Sequence, residues 1–269
     1  MRRWEGVRLI DLRLVVDGVF KSFPAPEPHR PTWPVLAGID FAAARGEFVV
    51  VTGPSGCGKT TLIDVVAGFT ECDRGRVLID GRPVTAPGRD RVVVFQTLAL
   101  FEWMTARDNV AFPLKAMGVS AVERRRIADD WLHRVLLGGF GDRYPHELSG
   151  GMRQRLALAR ALAAQPSCVL LDEPLAALDS QLRRTMQDEL VKLWREHDRT
   201  VVMVTHDLDE AVFLADRVVV LSERPSCVRA IVPIDLPATR EERSRASPGF
   251  RECVEHLWGL LRAGPAAAP

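Results

Sequence analysis

Residues 53–60 read GPSGCGKT, a GxxxxGK[ST] pattern built from the residue types that hold phosphate. Its glycines let consecutive backbone N–H groups turn inward on an anion, and a helix start behind it adds a positive dipole end. Lys59 is placed to reach the terminal phosphates of a nucleotide, and the Thr60 hydroxyl to bind Mg²⁺. The phosphate-binding set is therefore Gly53, Pro54, Ser55, Gly56, Cys57, Gly58, Lys59, Thr60 and Thr61. Cys57 reads as a small side chain filling a backbone position. A second apolar run, 168–171, ends in Asp172-Glu173-Pro174. Successive strand residues point to opposite sides, so two adjacent carboxylates can take different tasks. Asp172 is suited to hold Mg²⁺ through water, and Glu173 to orient or deprotonate an attacking water.

Elements must hold these groups together. Five runs, 48–51, 92–95, 169–171, 201–204 and 218–221, are short, Val-rich and lack polar alternation. That pattern predicts strands buried on both faces of a parallel sheet. The intervening segments are long enough for crossover helices. Leu182, Met186, Leu190 and Leu193 share one helical face, as do Met152, Leu156, Ala159 and Ala163. The fold class is α/β with a mainly parallel sheet. Residues 1–45 and 76–86 read as an antiparallel part with a tight turn at Asp80-Gly81. Residues 24–34 hold five prolines and are expected to be a loop. Residues 97–165 read as a helical insertion, and the tail 262–269 as disordered.

Composition narrows the partners. The 269 residues are 47% hydrophobic and 26% charged, which excludes global disorder. A formal charge of +1 gives no reason to expect nucleic acid. No apolar run approaches the ~18 residues of a membrane span, and the basic start lacks the apolar stretch of a secretory signal. Five cysteines without a CxxC read as reduced thiols of a cytosolic protein.

Residues 148–155 read LSGGMRQR. Ser149 fits a helix N-cap, and Gly150 and Gly151 let backbone approach an anion. With GPSGCGKT and LLDEP, this stretch resembles the ATP-binding cassette family, the ATPase subunits of ABC transporters. The order of phosphate loop, Gln96, signature, Asp172-Glu173 and His206 agrees, and the resemblance covers roughly residues 8–237. It implies a P-loop NTPase (RecA-like) core with an N-terminal antiparallel β part and a helical signature subdomain. Residues 1–237 would form the ATPase domain, with about 97–165 inserted, and 238–269 a helical extension and tail.

The resemblance also implies a head-to-tail homodimer that sandwiches ATP. Ser149, Gly150, Gly151 and Gln154 would serve the nucleotide held by the other subunit, and Asp179 would cross the interface. Gln96 looks like the sensor of Mg²⁺ and the attacking water, and His206 like the switch histidine at the γ-phosphate. Phe23 resembles the aromatic that stacks on adenine; Phe20 is the competitor, and core packing the other reading. Ala176 departs from the Gly or Ser usual at its position in relatives. Catalysis would then rest on Glu173, His206 and Gln96, with Thr60, Gln96 and Asp172 at the metal.

The chain holds one cassette, which is unlike a fused exporter or the two-cassette ribosomal type. The large regulatory domain of sugar-importer ATPases is not expected. LFEWMTARDNV at 100–110, YPHELSGGMRQR at 144–155 and VVVLSERPSCVRAIVPIDLP at 218–237 are most similar to the nitrate/sulfonate/taurine importers. Membership there implies a membrane permease partner, a periplasmic binding protein acting indirectly, and a peripheral position on the cytoplasmic side of the inner membrane. Leu100, Phe101, Trp103 and Met104 would line a groove for a short permease helix, with core packing as the other reading. A mechanical or regulatory ABC subunit is the alternative, and a P-loop kinase a third class with no use for LSGGMRQR.

Overall fold

The structure is a computed structural model that describes residues 11–24, 32–95, 97–176, 178–195, 199–237, 240 and 242–262. Two long strands, β1 (Leu12–Pro24) and β2 (Thr32–Ala44), pair antiparallel, and β4 (Arg74–Ile79) and β5 (Arg82–Pro83) complete a sheet of order β2-β1-β4-β5. Asp80 and Gly81, both at positive φ, make the expected two-residue turn between β4 and β5. The proline-rich stretch is a correction: Phe23 pairs with Trp33 and Pro24 with Thr32, so both ends of 24–34 belong to strands. Proline at a strand terminus lacks only a donor that the ladder there does not need. Residues 25–31 lie outside the described residues.

The second sheet has the order β10-β9-β3-β8-β7-β6. Its members are β3 (Phe48–Thr52), β6 (Arg91–Val94), β7 (Cys168–Asp172), β8 (Thr200–Val204), β9 (Arg217–Leu221) and β10 (Val228–Pro233). The five Val-rich runs are its parallel strands, and β10 is an antiparallel edge that the apolar-run criterion missed. Alternate residues explain the lack of polar alternation. Val49 and Val51 of β3, with Val202 and Val204 of β8, enter a core shared with the antiparallel sheet. Phe48 and Val50, with Val201 and Met203, enter a second core beneath the helices.

Four helices concern the site directly: α1 (Lys59–Ala67), α4 (Gly150–Ala163), α5 (Ser180–Arg195) and α6 (Leu208–Leu214). The insertion over 97–165 is helical as expected, with α2 (Ala106–Ala116) and α3 (Ala121–Arg134) packed on α4. A last helix, α7 (Pro248–Arg262), buries Phe250 and Leu257 in the helical core, so the C-terminal segment shares that core with the rest of the chain. Leu193 has no described side chain, and residues 1–10 and 263–269 lie outside the described set.

The turn before α2 carries several aromatics and is fixed by one buried amide. Asn109 Nδ2 donates to the carbonyls of Phe101, Met104 and Thr105 at 3.0–3.1 Å, and Asn109 Oδ1 accepts from the Phe101 amide at 3.0 Å. Replacing it strands buried backbone groups, each costing about 1–3 kcal/mol. Asn109→Ala is therefore expected to lose about 3 kcal/mol in urea denaturation. A loss below about 1 kcal/mol would show that solvent satisfies those carbonyls.

Candidate nucleotide-binding and catalytic site

The carboxyl ends of β3, β7 and β8 are level, because Val51 and Asp172 both lie opposite Val204. The phosphate loop leaves β3 there and enters α1. Gly58 caps α1 at φ 111, and a Cβ at that position would stand 2.7 Å from Val35 Cγ1, so only glycine fits between loop and β2. Lys59 Nζ donates to the carbonyls of Gly53 (2.8 Å) and Pro54 (3.1 Å), holding the loop curled around its own lysine. Cys57 turns its side chain into the core, and burial pushes the thiol above its ordinary value. It contributes backbone to the loop, as a small filler should, and not a reactive thiolate.

Asp172 is the last residue of β7 and only 5% exposed. Burial raises its carboxyl, a hydrogen bond from the Thr60 hydroxyl opposes this, the charge of Glu173 adds to the rise, and Lys59 pulls it down. Asp64 is raised too, by burial and then by the charge of Asp172. Crowded carboxylates beside the Thr60 hydroxyl suit a divalent cation. Among the described residues no group of three or more His, Cys, Asp or Glu forms a metal cage. Such a cation would draw its remaining oxygens from phosphate and water.

Glu173 sits at φ 48, a left-handed conformation costing an L-residue about 1–2 kcal/mol. Its amide donates to Val204 O at 3.0 Å, and its carbonyl accepts from Gln154 Nε2 at 3.5 Å. The turn aims Glu173 Oε1 at His206 Nδ1, 3.0 Å away. His206 is held from both sides. The Thr205 amide donates to Val51 O at 3.3 Å, and the Thr205 hydroxyl donates to the buried Glu210 Oε2 at 2.5 Å. Asp207 Oδ1 caps α6 by accepting from the Glu210 amide. Thr205 and Glu210 had no signal in the sequence beyond their proximity to His206.

A cleft of about 310 Å³ joins the phosphate loop on one side, Asp172 and Glu173 on another, and Arg224 on a third. Ser149, Gly150, Gly151 and Asp179 do not line it. Ser149 Oγ accepts from the Met152 amide at 3.3 Å and caps α4, with open space above Gly150. Asp179 Oδ1 accepts from the amides of Gln181 and Leu182 at the start of α5. Gln154 is a correction. At 2% exposure, with its amide against Glu173 O, it links α4 to the carboxylate turn inside its own chain and has no surface to offer a nucleotide. Gln96 and Ala177 lie outside the described residues.

The two candidate aromatics differ in their surroundings. Phe20 lies over Gly38, whose Cβ would meet its ring at 3.1 Å. Phe23, opposite Trp33, has the Lys21 ammonium 5.3 Å from its ring centroid. In the turn after β6, Trp103 is 72% exposed, and Phe101 packs on Trp103 and Phe112 with centroids 5.5 and 4.5 Å apart. Leu100 is partly buried against the helical core, while Phe101 and Phe112 wall an apolar groove of about 360 Å³.

Comparison with known proteins agrees with this geometry. A family model described as ABC transporter matches residues 36–176. The taurine import ATP-binding protein TauB of Mesorhizobium japonicum is 53% identical over 218 residues, 80% of this chain and 82% of that protein. The nitrate import ATP-binding protein NrtD of Synechococcus elongatus is 44% identical over 230 residues, 84% of this chain and 83% of that protein. The bacterial ABC transporter cassette MJ0796 has been solved as a dimer, and as a dimeric post-hydrolysis state bound to ADP and Pi. It superposes with TM-score 0.75 in both states at 32% and 31% identity, covering 83% of this chain and 100% of that one.

The raised carboxyl of Asp172 has a measurable consequence. The folded chain holds this proton more tightly than the unfolded chain does. The stability it contributes is present below the ordinary value of 3.8 and is lost as pH rises through the folded-state value. At about pH 7 the buried charge is a net cost. Asp172→Asn is therefore expected to raise the urea midpoint of the protein without added ligand at about pH 7, with the gain shrinking near pH 3. An unchanged midpoint at the higher pH would mean that Thr60 and Lys59 fully offset the burial.

Proposed function

The chain belongs to the ABC transporter family, and we propose that it is the ATP-hydrolysing subunit of an importer for a small anion or sulfur compound, of the nitrate, sulfonate or taurine kind. The observation that carries this is the single cleft in which the phosphate loop meets Asp172 and Glu173, with His206 hydrogen-bonded to Glu173 at its edge. Relatives named for taurine and nitrate import favour transport over a mechanical or regulatory role. We assign the ATPase domain to residues 1–237, with the helical part about 97–165 inserted and 238–269 as a C-terminal extension.

Residues 53–61 bind the triphosphate through backbone N–H groups and the Lys59 ammonium. Thr60 and Asp172 would hold Mg²⁺, with Gln96, which lies outside the described residues, assigned to it from its sequence position alone; the ion would supply charge neutralisation at the phosphates. Glu173 orients the attacking water and takes its proton. The His206 hydrogen bond at Oε1 orients the Glu173 carboxylate for that task. Phe23 is the adenine-stacking aromatic, because it pairs with Trp33, whose ring carries the cleft-lining Arg224, whereas Phe20 is engaged on Gly38.

Each cleft lacks the signature residues of its own chain. A second copy, head to tail, would bring Ser149, Gly150 and Gly151 onto the nucleotide and Asp179 onto the interface. The solved dimeric cassette supports that arrangement. Among the described residues no helix is long and apolar enough to cross a membrane. As an importer ATPase the chain would work with separate permease subunits, fed by a periplasmic binding protein, from a peripheral position on the cytoplasmic side; relatives named for taurine and nitrate import support this. The groove walled by Phe101 and Phe112, with the exposed Trp103 packed on Phe101, is the permease docking site.

Two experiments test the reading. Glu173→Gln keeps shape and loses basicity, so MgATP hydrolysis should fall by at least ~10²-fold while ATP binding persists. Light scattering should then show an ATP-dependent dimer. Hydrolysis near the wild-type rate would remove Glu173 from its role, and a permanent monomer with MgATP and permease present would contradict the sandwich. Trp103→Ala should leave thermal melting and basal ATPase activity almost unchanged, because the ring is exposed, while co-purification with the permease drops by ~10-fold or more. Undiminished co-purification would move the docking site elsewhere.

A further inference from the structure

Arg224 is absent from the phosphate loop, carboxylate and histidine assignments, yet it lines the same cleft. Its place is built and not incidental. The loop 222–227 is closed on itself by the Ser222 amide donating to Cys227 O (3.0 Å) and the Cys227 amide donating to Ser222 Oγ (3.0 Å). It is then tied to β2: the Ser226 amide donates to Val35 O at 2.9 Å, and the Ala37 amide to Ser226 O at 2.8 Å. Val35 is the residue against which Gly58 packs. One short path of contacts thus runs from Arg224 through Ser226 and Val35 to the phosphate loop.

The guanidinium sits 5.7 Å from the Trp33 ring centroid, and among the described residues no carboxylate lies within ion-pair distance of it. An aromatic face can orient a guanidinium without neutralising it. The sheet order decides which end of a nucleotide it serves. Strand β9, which delivers Arg224, flanks β3 on the side away from β8 and β7. Asp172, Glu173 and His206 crowd the opposite side, where the bond to be hydrolysed must lie. Arg224 instead shares its side with Trp33 and, through the β1–β2 register, with Phe23.

We infer that Arg224 is a nucleotide-binding residue that contacts the phosphate nearest the nucleoside. This rests on reading the cleft as the ATP site. The contact is the same before and after hydrolysis, because the phosphate it meets is kept in ADP. It therefore contributes uniform binding, which sets KM and leaves kcat alone. That separates it from Lys59 and Asp172, which act where charge changes during the reaction.

Calorimetry on the full chain with MgATP, ADP and AMP tests the assignment, with steady-state kinetics alongside. Wild-type protein that binds neither MgATP nor ADP would overturn the reading of the cleft itself, separately from Arg224. Given wild-type binding, Arg224→Ala should weaken ATP and ADP by the same factor, about tenfold, as for one charge-assisted hydrogen bond at a partly exposed site. KM should rise by that factor with kcat within about twofold of wild type. Arg224→Lys should recover part of the loss, and both variants should melt like wild type because the side chain is exposed. Unchanged ADP affinity, a loss confined to ATP, or a fall in kcat equal to the fall in kcat/KM would each overturn the proposal.

Discussion

The parallel ladder joining β3, β8 and β7 is the interaction on which the site depends. Each strand brings a different chemical group to its carboxyl end, and no side-chain contact between those groups sets their level. The backbone pairing of Val51 with Val204 and of Asp172 with Val204 sets it. A slip of one residue would invert every side chain along the strand and send Asp172 to the other face. Such a slip is prohibited because both faces are apolar cores with different partners. The fold enforces register through packing, and register supplies the chemistry.

Two departures from relaxed geometry occur where the ladder ends. Glu173 takes a left-handed turn, and the phosphate loop bends around Gly58 in the same region of backbone space. Strain of this kind persists only where neighbours over-determine it. Around Glu173 the neighbours are Val204 O, the Gln154 amide and the His206 ring. Around the loop they are Lys59 and the Val35 side chain. The buried Thr205–Glu210 pair belongs to the same scheme. It fixes the residue before His206, and burial raises the carboxyl of Glu210, the response of an acid that faces a low dielectric.

Much of this was legible in the sequence because the signals are backbone signals. Val-rich runs without alternation need burial on both faces, and the glycines of GPSGCGKT and the Asp80-Gly81 pair mark conformations that few residues adopt. What stayed hidden was tertiary. Strand β10 is half-solvated and mixed in composition, so periodicity does not separate it from a loop. The prolines at 24 and 34 signalled a loop, although strand ends tolerate them. The resemblance implied a nucleotide contact for Gln154, and only the packing of α4 shows its side chain turned inward. Arg224 stood within the stretch 218–237 that marked the importer resemblance, but its nearness to Gly58 arises from a bridge between residues 36 and 226, far apart in the chain.

The Gln154 amide has a mechanical consequence. It spans from the helix that presents the signature to the carbonyl of the residue that would activate water, and 3.5 Å is near the outer limit of a hydrogen bond. Lengthening it by an ångström would break it and leave the left-handed turn of Glu173 held by Val204 O and the His206 ring. The helical part and the hydrolytic turn are thus joined by one polar contact laid over the apolar core they share through Leu156, Leu175 and Leu178, so the seating of α4 bears on the backbone of Glu173.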